Sequence, residues 1–230
     1  MADPIDALLE GLWRDYVAVT PHAARIHALL AERGETVVND HVALRGLGVP
    51  GLGLGALGAP FEALGWEPRE RYRFDDKHLV AGYWQHPDSA RPKVFISELC
   101  LDELSETAQA ALRQLIAQVP RGRDEGVPLP RAGRPWEVTA ATYQSLLAES
   151  EYAAWMAAFG FRVNHFTVDV GRLRTVRSIA EMNALLEAHG FHPHRRRLNR
   201  PGSSGGSDLT RRLSRCPHPA STTRRPVIGR

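Results

Sequence analysis

The chain has 230 residues, 43% of them hydrophobic, which suits one large or two small domains with a buried core. Its net charge of +3 mixes two unlike parts: residues 192–230 hold ten Arg and one acid, Asp208, whereas acids outnumber bases over residues 1–191. The basic balance thus belongs to one segment and gives no ground for a nucleic-acid role of the body. Cys100 and Cys216 lack the paired spacing of a disulfide framework or a cysteine zinc site. No run approaches the roughly eighteen apolar residues of a membrane span, and the start Met1-Ala2-Asp3-Pro4 lacks the basic region of a secretory leader, so no membrane partner and a cytoplasmic location are expected.

Residues 5–33 carry helical periodicity through Ile5, Leu8, Leu12, Trp13 and Tyr16, then Ile26, Leu29 and Leu30. Thr20-Pro21 stands where the cap and first residue of a second helix belong. Both helices are read as cover for a sheet.

The next stretch, residues 37–45, alternates apolar and polar residues and is rich in valine, the pattern of a half-buried strand. Side chains repeat every two residues, so His41, Ala43 and Arg45 share one face while Val42 and Leu44 point to the other. At about 3.3 Å per residue, His41 and Arg45 are roughly 13 Å apart at Cα, and the long arginine side chain can reach back over Ala43. Such a face suits a ligand held by a metal at one end and a guanidinium at the other.

Residues 46–58 are glycine-rich, but Gly51-Leu52-Gly53-Leu54-Gly55 lacks the spacing and context of a dinucleotide loop and reads as a mobile connection to a helix around residues 60–65. Residues 71–99 give three strand-like runs, with His78 and His86 beside them read as solvated and Glu98 as a carboxylate near the site. Residues 101–119 form an amphipathic helix capped by Ser105, residues 120–135 a loop, and residues 136–159 another helix whose aromatic stripe reads as core. Residues 161–170 echo the first strand: His165, Thr167 and Asp169 share one face, with Phe166, Val168 and Val170 opposite. Ser178 to Glu181 is a capping-box pattern opening a helix that ends at Gly190. Beyond residue 191 apolar periodicity vanishes, and a disordered tail is expected over residues 192–230.

The run Asn39-Asp40-His41-Val42-Ala43-Leu44-Arg45, followed in order by residues 59–66, Tyr72-Arg73-Phe74, Lys77, residues 93–99 and Val163-Asn164-His165-Phe166-Thr167, resembles the 2-oxoadipate dioxygenase/decarboxylase family. The resemblance runs from about residue 8 to residue 191. It implies an α+β, vicinal-oxygen-chelate-like curved antiparallel sheet covered by helices, incomplete at the C-terminus, with residues 1–191 forming the N-terminal portion of a catalytic domain. It also implies an Fe(2+) enzyme that converts 2-oxoadipate and O2 to D-2-hydroxyglutarate and CO2 in lysine breakdown, with its metal held by two His and one Glu. Carried over by position, His41 and His165 are the histidine ligands and Arg45 holds a substrate carboxylate.

The resemblance places the glutamate ligand downstream of the second histidine, so Glu98 is not carried over as that ligand. No Glu follows Glu187. An arginine- and proline-rich segment at that point is what a truncated or frameshifted reading would produce. The alternative is a non-catalytic remnant of the same fold that binds an anion or a partner and carries a basic tail.

Overall fold

In the computed structural model, residues 3–120 and 127–191 are described. The expected tail over residues 192–230, with Cys216 in it, lies outside them. The chain divides into two compact units at Met182 and Asn183, and everything below concerns the first unless stated.

Helix α1 (Pro4–Val19) opens on Asp3, whose carboxylate accepts from the Ile5 amide at 2.9 Å. Helix α2 (Pro21–Glu32) follows, with proline at its first position. Thr20 caps it through its backbone carbonyl, which accepts from Ala23, and not through its hydroxyl. After α2, the buried Glu35 accepts from the backbone amides of Arg174 and Thr175, tying the end of the helical pair to the segment that follows the last strand.

Five strands form one sheet: β1 (Asn39–Leu47), β2 (Glu67–Phe74), β3 (Leu79–Gln85), β4 (Lys93–Leu99) and β5 (Val163–Val168), in the order β2-β3-β4-β1-β5. The sheet was expected to be antiparallel, and three of its four pairings are. The central β1–β4 pair is parallel. A hairpin cannot make such a pair, but here a helix and two strands separate the partners and give the chain room to cross over.

One face of the sheet builds the core. Val42 and Leu44 sit in register with Val94 and Ile96, and none of the four is more than 1% exposed. Helix α3 (Leu54–Glu62) packs here at very close range, since a Cβ on Gly46 would lie 2.7 Å from Leu57 Cδ1 and one on Gly58 2.7 Å from the Trp84 ring. Trp13 of α1 meets Phe166 of β5 edge-on at 5.1 Å.

The glycine-rich run does open a helix, contrary to expectation, because α3 starts at Leu54 directly after Gly53. The Leu54 amide donates to Glu98 at 2.7 Å, so a carboxylate of the protein already fills that helix N-terminus. This accounts for Glu98 and leaves no phosphate-binding role for the loop.

Helix α4 (Glu106–Ile116) is capped by the Ser105 hydroxyl as expected, with a short 3-10 turn at Leu101–Glu103 ahead of it. The single helix expected over 136–159 is two: α5 (Ala140–Glu149) and α6 (Glu151–Phe159). Ser150 breaks them apart by taking an extended backbone, φ −144 and ψ 112, and its hydroxyl accepts from Ala153 to start α6. Helix α7 (Ile179–Ala188) begins at the expected capping box, where the Glu181 amide donates to Ser178 Oγ at 3.1 Å. Among the described residues no helix is long and apolar enough to cross a membrane.

Candidate functional site

The second face of the sheet is polar, and the register explains why the histidines meet on it. Thr167 stands opposite His41 and His165 opposite Ala43, so a residue too small to intervene lies between the two imidazoles. Their Nε2 atoms are 3.3 Å apart and the rings cross at 77°. Two nitrogens each about 2.1 Å from one ion cannot be much more than about 4 Å apart, so this spacing suits a shared divalent metal.

Each ring is held from behind. His41 Nδ1 lies 2.7 Å from Asp40 Oδ2, and that hydrogen bond is the main reason the Asp40 carboxyl titrates below its ordinary range. A proton on Nδ1 leaves the Nε2 lone pair of His41 facing Thr167 Oγ1 at 3.0 Å and His165. His165 Nδ1 lies 3.0 Å from the Asn164 side-chain amide. Burial is the main cause that lowers the His165 pKa to about 4, with the Arg45 charge adding to it, so the imidazole is neutral and able to bind metal at physiological pH.

Arg45 extends from the same face of β1, level with Ser97 of β4. Its guanidinium carbon lies 4.8 Å from the ring centroids of both Tyr152 and Trp155 on α6. Burial is the main reason its pKa falls below the ordinary value, and the Glu151 carboxylate opposes the fall. Glu151, the first residue of α6, is the carboxylate whose charge acts on the guanidinium. A half-buried cation on the face that bears the histidine pair favours an anionic ligand.

The other candidates lie elsewhere. His78 pairs with Glu103 at 3.1 Å, and His86 accepts from the Asp88 amide and packs on Trp66. Asp169, expected on the His165 face, instead accepts from the Gly171 amide and closes a turn. Among the described residues no group of three His, Cys, Asp or Glu is placed to hold a metal, so no carboxylate there joins the histidine pair as a third ligand. The aromatic stripe expected as core is core, with Tyr152 buried in it and Trp155 packed against it, but the same two rings also flank Arg45, which the sequence reading did not foresee. Their three-residue spacing on a helix was a usable signal once Arg45 needed a partner.

The open α+β sheet with two histidines converging on one face falls in the vicinal-oxygen-chelate-like fold class. A glyoxalase superfamily protein from Ralstonia eutropha JMP134 shares the fold at a TM-score of 0.64 and 21% identity, covering 81% of this chain and 67% of its own. Within that class the chain belongs to the 2-oxoadipate dioxygenase/decarboxylase family, whose model matches residues 9–125 and 130–209. The match thus continues past residue 191, where the motif resemblance stops.

The rice 2-oxoadipate dioxygenase/decarboxylase is 32% identical over 198 residues, 80% of this chain and 54% of the relative, and the Arabidopsis thaliana protein is 32% identical over 166 residues, 66% of this chain and 45% of the relative. The chain therefore spans about half the length of the curated relatives it matches. The crystal structure of the hydroxyglutarate synthase from Oryza sativa in complex with 2-oxoadipate superposes at a TM-score of 0.74 with 31% identity, covering 83% of this chain and 67% of that one. A Shewanella frigidimarina structure described as a hydrolase is 43% identical at a TM-score of 0.77, covering 81% and 73%.

Proposed function

We propose that this chain carries the histidine half of an Fe(II) site for a dioxygenase/decarboxylase acting on a 2-oxo dicarboxylate such as 2-oxoadipate. The observation that carries the reading is the 3.3 Å approach of His41 Nε2 and His165 Nε2 on the face that also bears Arg45. The structure of the rice synthase, which holds 2-oxoadipate, supports the substrate class. The donor set fits two of the three positions of a two-histidine, one-carboxylate iron site. The carboxylate is absent from the described residues around the pair.

Bound iron would supply O2 activation, with 2-oxoadipate and O2 giving 2-hydroxyglutarate and CO2 overall. The chain's own residues do the rest. His41 and His165 offer neutral nitrogens, Asp40 and Asn164 fix the two rings, and Arg45 receives the far carboxylate through its in-plane N–H groups. Holding both ends of a flexible diacid orients its keto acid group toward the histidines.

The test is a Co(II) titration without oxygen, followed by O2 uptake with Fe(II) and 2-oxoadipate. One metal per chain, lost in His41→Ala and His165→Ala, and O2 uptake that requires both metal and keto acid support the reading. Failure to bind metal overturns it. The absence of a third ligand among the described residues favours a second reading, a non-catalytic anion-binding remnant, and metal binding without O2 uptake would select that one.

A further inference from the structure

We propose that Tyr152 and Trp155 are positioning residues that hold the Arg45 guanidinium in advance for a substrate carboxylate, an inference that rests on the reading of Arg45 given above. Tyr152 and Trp155 lie three residues apart on α6 and therefore on one side of it, and the guanidinium carbon of Arg45 lies 4.8 Å from each ring centroid. Ring contacts engage the flat surface of a guanidinium. Its five N–H groups point outward in the plane and stay available for the paired hydrogen bonds a carboxylate makes.

The helix that carries the rings is fastened to the strands at the level of Arg45. The Tyr152 hydroxyl accepts from the Gly46 amide at 3.1 Å and donates to the Ser97 carbonyl at 2.7 Å. Gly46 follows Arg45 in β1, and Ser97 is the register partner of Arg45 in β4. The β1–β5 register ends at Leu44–Val163, so at Gly46 it is Tyr152, and not a fifth-strand residue, that receives the amide. Tyr152 is 8% exposed, and burial raises its pKa, which keeps the hydroxyl protonated as a donor.

The advantage is entropic. An arginine free to sample its rotamers loses that freedom when it binds, whereas one held over two rings has lost most of it already. The rings therefore act through Arg45 without touching substrate, and their contribution belongs to carboxylate affinity and not to metal affinity.

The test uses the full chain with glutarate, a dicarboxylate without a keto group, in the absence of metal. The Arg45 Nε–Hε resonance, identified by its loss in Arg45→Lys, should be displaced upfield by the ring currents in the wild type. Trp155→Leu should move it toward the free arginine position and weaken glutarate about fivefold, equivalent to about 1 kcal/mol. Trp155→Phe should restore most of both effects, and Co(II) affinity should be unchanged in either variant.

A resonance and a glutarate affinity that Trp155→Leu leaves at wild-type values overturn the proposal. If the resonance responds to Trp155→Leu but Arg45→Ala binds glutarate as well as wild type, the carboxylate reading of Arg45 falls and this role of the rings falls with it.

Discussion

The two faces of one sheet differ in what they have been built to hold. On the first, Val42, Leu44, Val94 and Ile96 are sealed under α1 and α3 with no polar group among them. On the second, the same strands present His41, Arg45 and Ser97, joined by His165 and Thr167 from β5. Burial on the first face yields free energy in proportion to area. The second face gives some of that up to keep two converging imidazoles and a half-buried guanidinium in place. Stability and chemistry are thus divided between odd and even positions of β1, and substitutions should respect the division.

The largest effect is expected from the apolar side. Phe61→Ala, at a site with no solvent exposure, should lower unfolding free energy by about 3–5 kcal/mol in urea melts, with metal affinity of the remaining folded protein unchanged. On the polar side His165→Ala should do the reverse, weakening Co(II) by about 100-fold or more while changing stability by about 1 kcal/mol or less. A His165→Ala protein that unfolds as readily as Phe61→Ala would break the comparison. A smaller effect should follow Asp40→Asn, which keeps the volume of the side chain but removes the charge behind His41; metal affinity should fall about tenfold.

Much of this division is legible in the chain itself. Alternation placed His41 and Arg45 together and apart from Val42 and Leu44, and the echo at Asn164-His165 supplied the second ring. What alternation could not supply is which strands are neighbours. The meeting of β1 with β5 depends on a contact 124 residues apart in sequence, and the parallel β1–β4 pair on a crossover that no local pattern encodes. Ser150 shows the opposite limit. A serine inside a helical pattern is a weak break signal until its hydroxyl is seen capping the next helix. That break matters, because it lets α6 turn Tyr152 and Trp155 toward Arg45.

The smallest effect is one of pH, and it separates the polar face from the segment after α2. His165 has a folded pKa of about 4 against an ordinary 6.5, and Glu35, which accepts first from the Arg174 backbone and then from Thr175, has one of about 2 against 4.5. In both cases the unfolded chain takes up a proton before the folded chain does, so stability falls as pH falls. The windows differ: about 6.5 to 4 for the histidine and about 4.5 to 2 for the glutamate. Urea melts of the metal-free protein from pH 8 to 3 should therefore show a slope that begins near pH 6.5 and continues below 4.5. A single proton gives at most about 1.4 kcal/mol per pH unit, and partial exposure of His165 reduces its share. His165→Ala should flatten the upper part alone, since it removes the group that resists protonation on the polar face. Glu35→Gln should flatten the lower part alone, since its carboxylate holds the backbone of Arg174 and Thr175 and has no contact with the imidazoles. A His165→Ala protein that keeps the wild-type slope between pH 6.5 and 4.5 would show that burial does not hold this imidazole neutral, and would remove the electrostatic reason for regarding it as ready for metal.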